Sequence, residues 1–190
     1  MSKELIEAVQ AGNVAEVRRM LAAGADVNSR YEAGATLLMQ AAQAGNLAMV
    51  EAVIDAGADV NASDERGWTA LVKAVYNHEQ KRGFGDVVRA LIEAGANIEV
   101  AIGYGVRPLM LAAGYGETDV VAALLEAGAD PLARNEGGYT ALMMVKQKNY
   151  VDVINLLHEA EQMAGLGEGS CASKNAPGSN VITFMKRPGA

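Results

Sequence analysis

A six-residue string repeats along the chain at nearly constant spacing, and this periodicity limits the folds that the sequence can adopt. The string AGADVN begins at Ala23 and again at Ala56, and the related strings AGANIE and AGADPL begin at Ala94 and Ala127. Their glycines follow one another after 33, 38 and 33 residues: Gly24, Gly57, Gly95 and Gly128. A second series has the same spacing: Gly34, Gly67, Gly105 and Gly138. Two markers with one period predict a chain of stacked units rather than a single irregular domain.

Between the markers, each unit has the pattern of two short helices. Apolar residues recur three and four positions apart, as at Leu38, Ala41 and Ala42, which is the spacing of one buried helical stripe. Threonines suited to capping a helix N-terminus precede the first helix of three units: Thr36, Thr69 and Thr140. The glycine after each second helix fits the left-handed residue that ends a helix. Hydrophobic residues make up 51% of the chain but aromatic residues only 5%, which favours many small helices over an aromatic-rich β-sandwich.

This pattern resembles the ankyrin repeat, whose family motif is G-x-T-P-L-H-x-A-A-x-x-G, followed by a second helix and G-A-D-V-N. The resemblance covers about residues 1–160 and implies an all-α fold, an ankyrin-repeat solenoid of about five stacked helix-turn-helix units with β-turn fingers. The units are expected at about 1–30, 31–62, 63–100, 101–133 and 134–160, the first without a finger. Because one unit cannot bury its own apolar face, stacking is expected to provide the stability.

The sequence departs from the family motif at several positions. The proline is kept only as Pro108, where Arg107 replaces the threonine. Methionine or valine replaces the family histidine: Met39, Val72, Met110 and Met143. In the last unit Lys146 and His158 replace apolar residues, which suits an end that faces solvent or the tail.

The third unit is five residues longer than its neighbours, because Thr69 to Val88 spans 19 positions where Thr36 to Val50 spans 14. The insertion lies around 77–85, where the first helix should turn into the second. One interpretation is a tolerated surface loop, since longer loops cost little closure entropy. The other is a lip that adds three residues to a partner-binding site: Lys81, Arg82 and Phe84.

Residues 161–190 form a Gly/Ser-rich C-terminal tail in which glycines such as Gly165 and Gly167 predict a break in helix structure. A short apolar stretch at 181–185 predicts an extended segment. Three interpretations of the tail stay open: a flexible extension, a segment folded back on the solenoid, or a linear motif for another protein.

Charge and composition restrict the partners. A formal net charge of −7 and a pI near 4.9 disfavour nucleic acid and anionic membrane surfaces, both of which require a basic face. The chain has no apolar run of 18 residues and no N-terminal pattern of a secretory signal, so we expect a cytoplasmic protein without a membrane partner.

Residues able to support catalysis are few. His78 and His158 are far apart in any stacked-repeat arrangement, and Cys171 has no neighbouring base. No spacing typical of a zinc site occurs, and the glycine-rich segment 165–170 lacks the features of a phosphate-binding loop. Adjacent carboxylates such as Asp64 and Glu65 are interpreted as solvated turn residues. We therefore predict no catalytic residue, no metal and no cofactor.

The resemblance implies that a partner protein binds the concave face, made of the fingers and the exposed side of the first helices. Six of the nine aromatic residues map to that face: Tyr31, Trp68, Tyr76, Tyr104, Tyr115 and Tyr139. Polar candidates lie between them: Glu32, Gln43, Glu65, Arg66, Asn77, Glu136, Gln147 and Lys148. Large rigid rings dominate binding hot spots, so the pattern predicts a protein-protein interaction module, an adaptor or an inhibitor. An alternative interpretation is a structural or self-associating module whose tail occupies the groove, in the same chain or in another copy.

Overall fold

The computed structural model describes residues 2–75, 77 and 82–168. This part of the chain forms ten α-helices in five consecutive pairs, and its extended contacts are limited to isolated bridges. The pairs are α1 Ser2–Gln10 with α2 Val14–Ala22, α3 Leu37–Ala44 with α4 Leu47–Asp55, α5 Ala70–Val75 with α6 Gly85–Glu93, α7 Pro108–Tyr115 with α8 Thr118–Glu126, and α9 Ala141–Val145 with α10 Val151–Glu168. Short 3₁₀ helices occupy Glu32–Gly34 and Gly103–Gly105. The prediction of an all-α repeat solenoid is confirmed.

The helices form two layers, each built by contacts between consecutive units. The first helices of the units, here called the inner helices, contact one another in the order α1, α3, α5, α7 and α9. The second helices, the outer helices, do so in the order α2, α4, α6, α8 and α10. One continuous hydrophobic cluster lies between the layers, and the predicted leucine column is buried throughout: Leu38, Leu71, Leu109 and Leu142. Stability therefore comes from interfaces between neighbouring units.

The predicted threonine caps are confirmed. The hydroxyl of Thr36 accepts the amide of Met39 at 3.4 Å, and Thr69 and Thr140 make the equivalent bonds at 3.5 and 3.3 Å. Each bond satisfies one free amide at the start of an inner helix.

A ladder of side chains joins the loops that follow the outer helices. Asn28 donates to the carbonyl of Gly57 at 3.3 Å and accepts the amide of Asp59 at 2.8 Å. Asn61 makes the same two bonds one unit later, at 3.0 and 2.7 Å. In the next unit Glu99 accepts the corresponding amide at 2.8 Å, but its carboxylate has no proton to donate to a carbonyl. The ladder ties consecutive units together on the exposed side of the loops.

The turns between inner and outer helices interlock from one unit to the next. Gly45 ends α3 in the left-handed region, and the ring of Phe84 from the following unit lies where a side chain at Gly45 would begin. Gly116 ends α7 in the same way and lies under the ring of Tyr150. The glycine that ends the inner helix of one unit therefore makes room for a ring from the following unit, at the residue just before that unit's outer helix.

The insertion in the third unit lies at this turn, as predicted, but two of its residues are buried. The amide of Asn77 donates to the carbonyl of Arg82 at 2.8 Å and that of Phe84 to the carbonyl of Ala74 at 3.0 Å. Phe84 is only 5% exposed and belongs to the core, so its prediction as a lip residue that contacts a partner is wrong. The buried Asn77 side chain donates to the carbonyl of Gln43 at 2.6 Å and is likewise a structural residue.

The last helix is longer than predicted. α10 continues through Gly165 to Glu168, so the expected break in helix structure from residue 161 is wrong for residues 161–168. The rest of the tail, with Cys171 and the predicted extended segment 181–185, lies outside the described residues. Among the helices of the described ranges, none is both long and apolar enough to cross a membrane.

Candidate functional site

The four fingers that precede the inner helices are of two kinds. In the second and fourth units the finger is a 3₁₀ turn with one non-glycine residue at positive φ, Ala33 at 54° and Tyr104 at 61°. In the third and fifth units a side chain closes the turn instead. Asp64 accepts the amide of Trp68 at 2.9 Å, and Asn135 accepts the amide of Tyr139 at 3.0 Å.

Fingers of different kinds are joined in pairs through their backbones. The amide of Glu65 in the third finger donates to the carbonyl of Ala33 in the second at 3.0 Å. The amide of Glu136 in the fifth finger donates to the carbonyl of Tyr104 in the fourth at 3.1 Å. The second pair holds Tyr104 and Tyr139 on two adjoining fingers.

Tyr104 is the most exposed large apolar residue in the described part of the chain, at 83%. Its left-handed backbone conformation costs a residue with a Cβ about 1–2 kcal/mol, and a ring in solvent recovers none of this by burial. The equivalent residue in the second finger, Ala33, has the same conformation without a ring. The fold therefore accepts a small residue here and gives no reason for tyrosine.

Two other predicted aromatic residues lie on neighbouring fingers. Tyr139 is 55% exposed. Trp68 is half-buried, with the ammonium group of Lys73 located 4.8 Å from its ring centroid. Lys73 comes from α5 and also pairs with the carboxylate of Asp64 at 3.1 Å. The Trp68 ring is thus held in place by a cation and remains partly exposed.

Asp64 is a buried structural residue, and its prediction as a solvated turn residue is wrong. Burial by itself would raise the pKa of the Asp64 carboxyl, but hydrogen bonds from the amide of Trp68, from Lys73 and from the amide of Arg66 outweigh it. The net effect is a pKa below the ordinary value of 3.8. The negative charge therefore stabilises the third finger.

Replacing Asp64 by asparagine is expected to lower the free energy of unfolding at pH 7 by about 1–3 kcal/mol, because a hydrogen-bonded charge pair is lost. A carboxyl whose folded pKa is lowered stabilises the protein above its unfolded pKa, and this contribution disappears as the pH falls through the folded pKa. The difference between wild type and variant should therefore shrink as the pH falls below about 4, as followed by urea unfolding at several pH values. Glu65→Gln removes an exposed charge from the same finger and should change stability by less than about 0.5 kcal/mol. An undiminished difference at low pH would contradict the ion-pair explanation.

The remaining predicted residues vary in exposure. Several polar candidates are exposed as expected: Glu32, Gln43, Glu65, Arg66, Arg82 and Gln147. Tyr115 is half-buried, and Tyr76 lies outside the described residues. Tyr31 is half-buried and packs against the core, where burial, and then the charge of Asp26, raise the pKa of its hydroxyl. Tyr31 thus packs mainly against the solenoid and leaves only part of its ring accessible to a partner.

Two further residues were not among the predicted site residues, one beside Trp68 and one at the end of the solenoid. Lys73 lies over the Trp68 ring and positions it. Lys73 follows the capping residue Thr69 by four positions, or about one helical turn, so the sequence does show that the two are near each other. Met143 is 44% exposed, although the same position is buried in the units before it. Its exposure follows from its place in the last described unit.

Comparison with known families agrees with this architecture. The family model described as "Ankyrin repeats (3 copies)" matches residues 5–102 and again residues 80–166. The two matches overlap over residues 80–102 and together reach into all five helix pairs. No curated protein matches the chain.

Proposed function

Because this chain belongs to the ankyrin-repeat family, we propose that it binds another protein through the surface formed by its fingers and inner helices and catalyses no reaction itself. Ankyrin repeats are generally protein-protein interaction modules. The proposal includes a role as an adaptor or an inhibitor and a location in the cytoplasm.

The observation that carries the proposal is Tyr104. A ring that is 83% exposed on a backbone at φ 61° adds strain and buries little area, so folding alone does not explain it. In a complex the same ring would bury a large rigid surface with one polar group, which is typical of a binding hot spot. The strained turn also fixes where the ring points, so less conformational freedom is lost on binding.

The surroundings of Tyr104 support an extended contact area. Tyr139 lies on the adjoining finger, and Trp68 with its Lys73 lies on the third finger. Exposed glutamates occupy one shared position in three of the four fingers: Glu32, Glu65 and Glu136. Rings flanked by acidic groups favour a partner segment that combines apolar and basic side chains.

Replacing Tyr104 by glycine tests this proposal because it should change stability and binding in opposite directions. Glycine relieves about 1–2 kcal/mol of backbone strain, of which its greater freedom in the unfolded chain offsets up to about 1 kcal/mol, so stability should be retained or raised. Loss of the ring should weaken partner binding by at least about 2 kcal/mol, roughly 30-fold. The measurement is calorimetric titration with the partner that the wild-type chain retains from native cells, alongside thermal unfolding.

Ala33→Gly is the matched control. It relieves the same strain in the equivalent finger without removing a ring, so stability should change similarly while affinity is unaltered. Undiminished binding by the Tyr104→Gly variant would refute the assignment of the binding surface.

A further inference from the structure

The last unit leaves two apolar positions uncovered that every preceding fingered unit buries. Met143 is 44% exposed, whereas its counterparts are at most 2% exposed: Met39, Val72 and Met110. Ile154 in α10 is partly exposed, whereas its counterparts in the earlier outer helices are fully buried: Val17, Val50, Val88 and Val121. Val151, three residues before Ile154 on the same helix face, is 64% exposed. We call Met143, Val151 and Ile154 the open end.

The opposite end of the solenoid is polar. Glu16 and Arg19 of α2 form an exposed ion pair at 2.6 Å. Within the described part of the first unit, no large apolar side chain is exposed. A terminal repeat needs a polar outer face, and the first unit has one. Because the first unit presents charge, a second copy stacked head to tail is a poor match for the open end.

We propose that residues 181–185 of the same chain cover the open end. Val181, Ile182, Phe184 and Met185 form the apolar part of this segment. They follow the described solenoid in the chain, and their side chains match the aliphatic and thioether groups left uncovered.

Charge favours the same pairing. Residues 1–168 contain 13 basic and all 23 acidic residues, a net charge of −10. Residues 169–190 contain three basic residues, Lys174, Lys186 and Arg187, and no acidic residue, a net charge of +3. The tail is thus attracted electrostatically to the solenoid as a whole, and the apolar segment determines the position at which the tail binds.

The tail leaves the solenoid within reach of the open end. The hydroxyl of Thr140 donates to the carboxylate of Glu161 at 2.7 Å, which places the later turns of α10 beside the start of α9. The helix ends seven residues later, at Glu168, about 10 Å further along its axis. The twelve residues 169–180 then span about 20 Å as a flexible coil and about 40 Å when fully extended. The segment can therefore reach the open end within one chain.

This inference goes beyond the proposed function, because the open end is distinct from the surface around Tyr104. It assigns the tail the role of a C-terminal cap for the last unit and leaves the fingers free for a partner. Of the three interpretations of the tail, this inference adopts the segment folded back on the solenoid.

A spin label near the segment tests the contact without altering its apolar residues. The full chain with Cys171→Ala and Arg187→Cys carries a nitroxide at position 187, and the methionine methyl signals are observed by NMR. We expect strong broadening of the Met143 methyl signal and none for Met20 in the first unit. Equal intensities for Met143 and Met20 would overturn the proposal. A second contradicting result uses a mixture of chains that carry the nitroxide and chains that carry the NMR isotope. Broadening that appears only in this mixture would also overturn the proposal, since it places the tail on a second copy.

A second measurement follows the effect of the cap on the last unit. In the full chain carrying Ile182→Asp and Phe184→Asp, amides of α9 and α10 should exchange hydrogen about tenfold faster, while those of α3 and α4 stay unchanged. The control, Ala172→Asp with Ala176→Asp, adds the same charge to the tail outside the segment and should have little effect. Unchanged exchange in α10, or an equal effect of the control, would contradict the proposed cap. Neither variant alters Tyr104, so partner binding reports separately on the proposed function.

Discussion

Replacing Phe84 by alanine is expected to lower the free energy of unfolding by about 3–5 kcal/mol, one of the two largest effects that we expect from a single substitution in this chain. The ring is 5% exposed and fills the space above Gly45 at the junction of the second and third units. Its removal leaves a cavity that the surrounding helices can close only in part. Chemical unfolding monitored by circular dichroism measures the loss.

Phe84→Leu keeps most of the buried volume and should cost clearly less than alanine. Partner binding by the Phe84→Ala variant, measured well below its melting temperature, should remain close to that of wild type, because the ring faces the interior. A stability loss below about 1 kcal/mol would show that the ring does not support the junction.

Replacing Gly45 by alanine is expected to cost about 3 kcal/mol or more, from two sources. The residue has φ +69°, so any side chain adds about 1–2 kcal/mol of backbone strain. In addition, a Cβ would overlap the Phe84 ring, which is confined by the core and cannot move away freely. Gly57→Ala is the matched control, since this glycine has φ +87° and open space around it, and it should cost only the backbone strain.

The two substitutions combined separate these sources. In the Phe84→Ala background the ring is gone, so Gly45→Ala should cost about as much as Gly57→Ala. The double-mutant cycle should therefore give a coupling energy of about 1–2 kcal/mol. A cost for Gly45→Ala that is the same with and without the ring would contradict the interlocking of the two units.

The sequence predicts the repeating parts of this molecule well, because they depend on local rules that recur at a fixed spacing. The helix pairs, the leucine column and the threonine caps each follow from residue type and period, as at Thr36 and Thr69. The family match rests on the same recurring signals.

The features that the repeating pattern does not predict depend on tertiary contacts, either between units or within one unit. Phe84 follows an insertion, so an alignment that starts from Thr69 makes it a loop residue. An alignment that starts from α6 and runs backward instead places Gly83 and Phe84 opposite Gly45 and Asn46 of the preceding unit. That alignment would have shown its place at the junction. Asp64 pairs with Lys73 of its own unit, and the sequence shows that Lys73 lies one helical turn from Thr69 but not that it contacts Asp64.

The predicted start of the tail at residue 161 is wrong for a related reason. Glycine lowers helix propensity by only about 1 kcal/mol, and packing against the rest of the last unit offsets that cost. α10 contacts α8 and α9, and it continues past Gly165. Propensity alone therefore placed the end of the helix too early.

The pairing of unlike fingers means that the smallest interchangeable module of this solenoid is two units long. Backbone bonds join the second finger to the third and the fourth to the fifth, and no such bond links the third to the fourth among the fingers that the structure describes. Deletion of a single unit would bring two fingers of the same kind side by side and would leave one finger without its backbone bond to a neighbouring finger. Excision of a complementary pair would leave the alternation intact, so chains of this design can be shortened or lengthened in even steps.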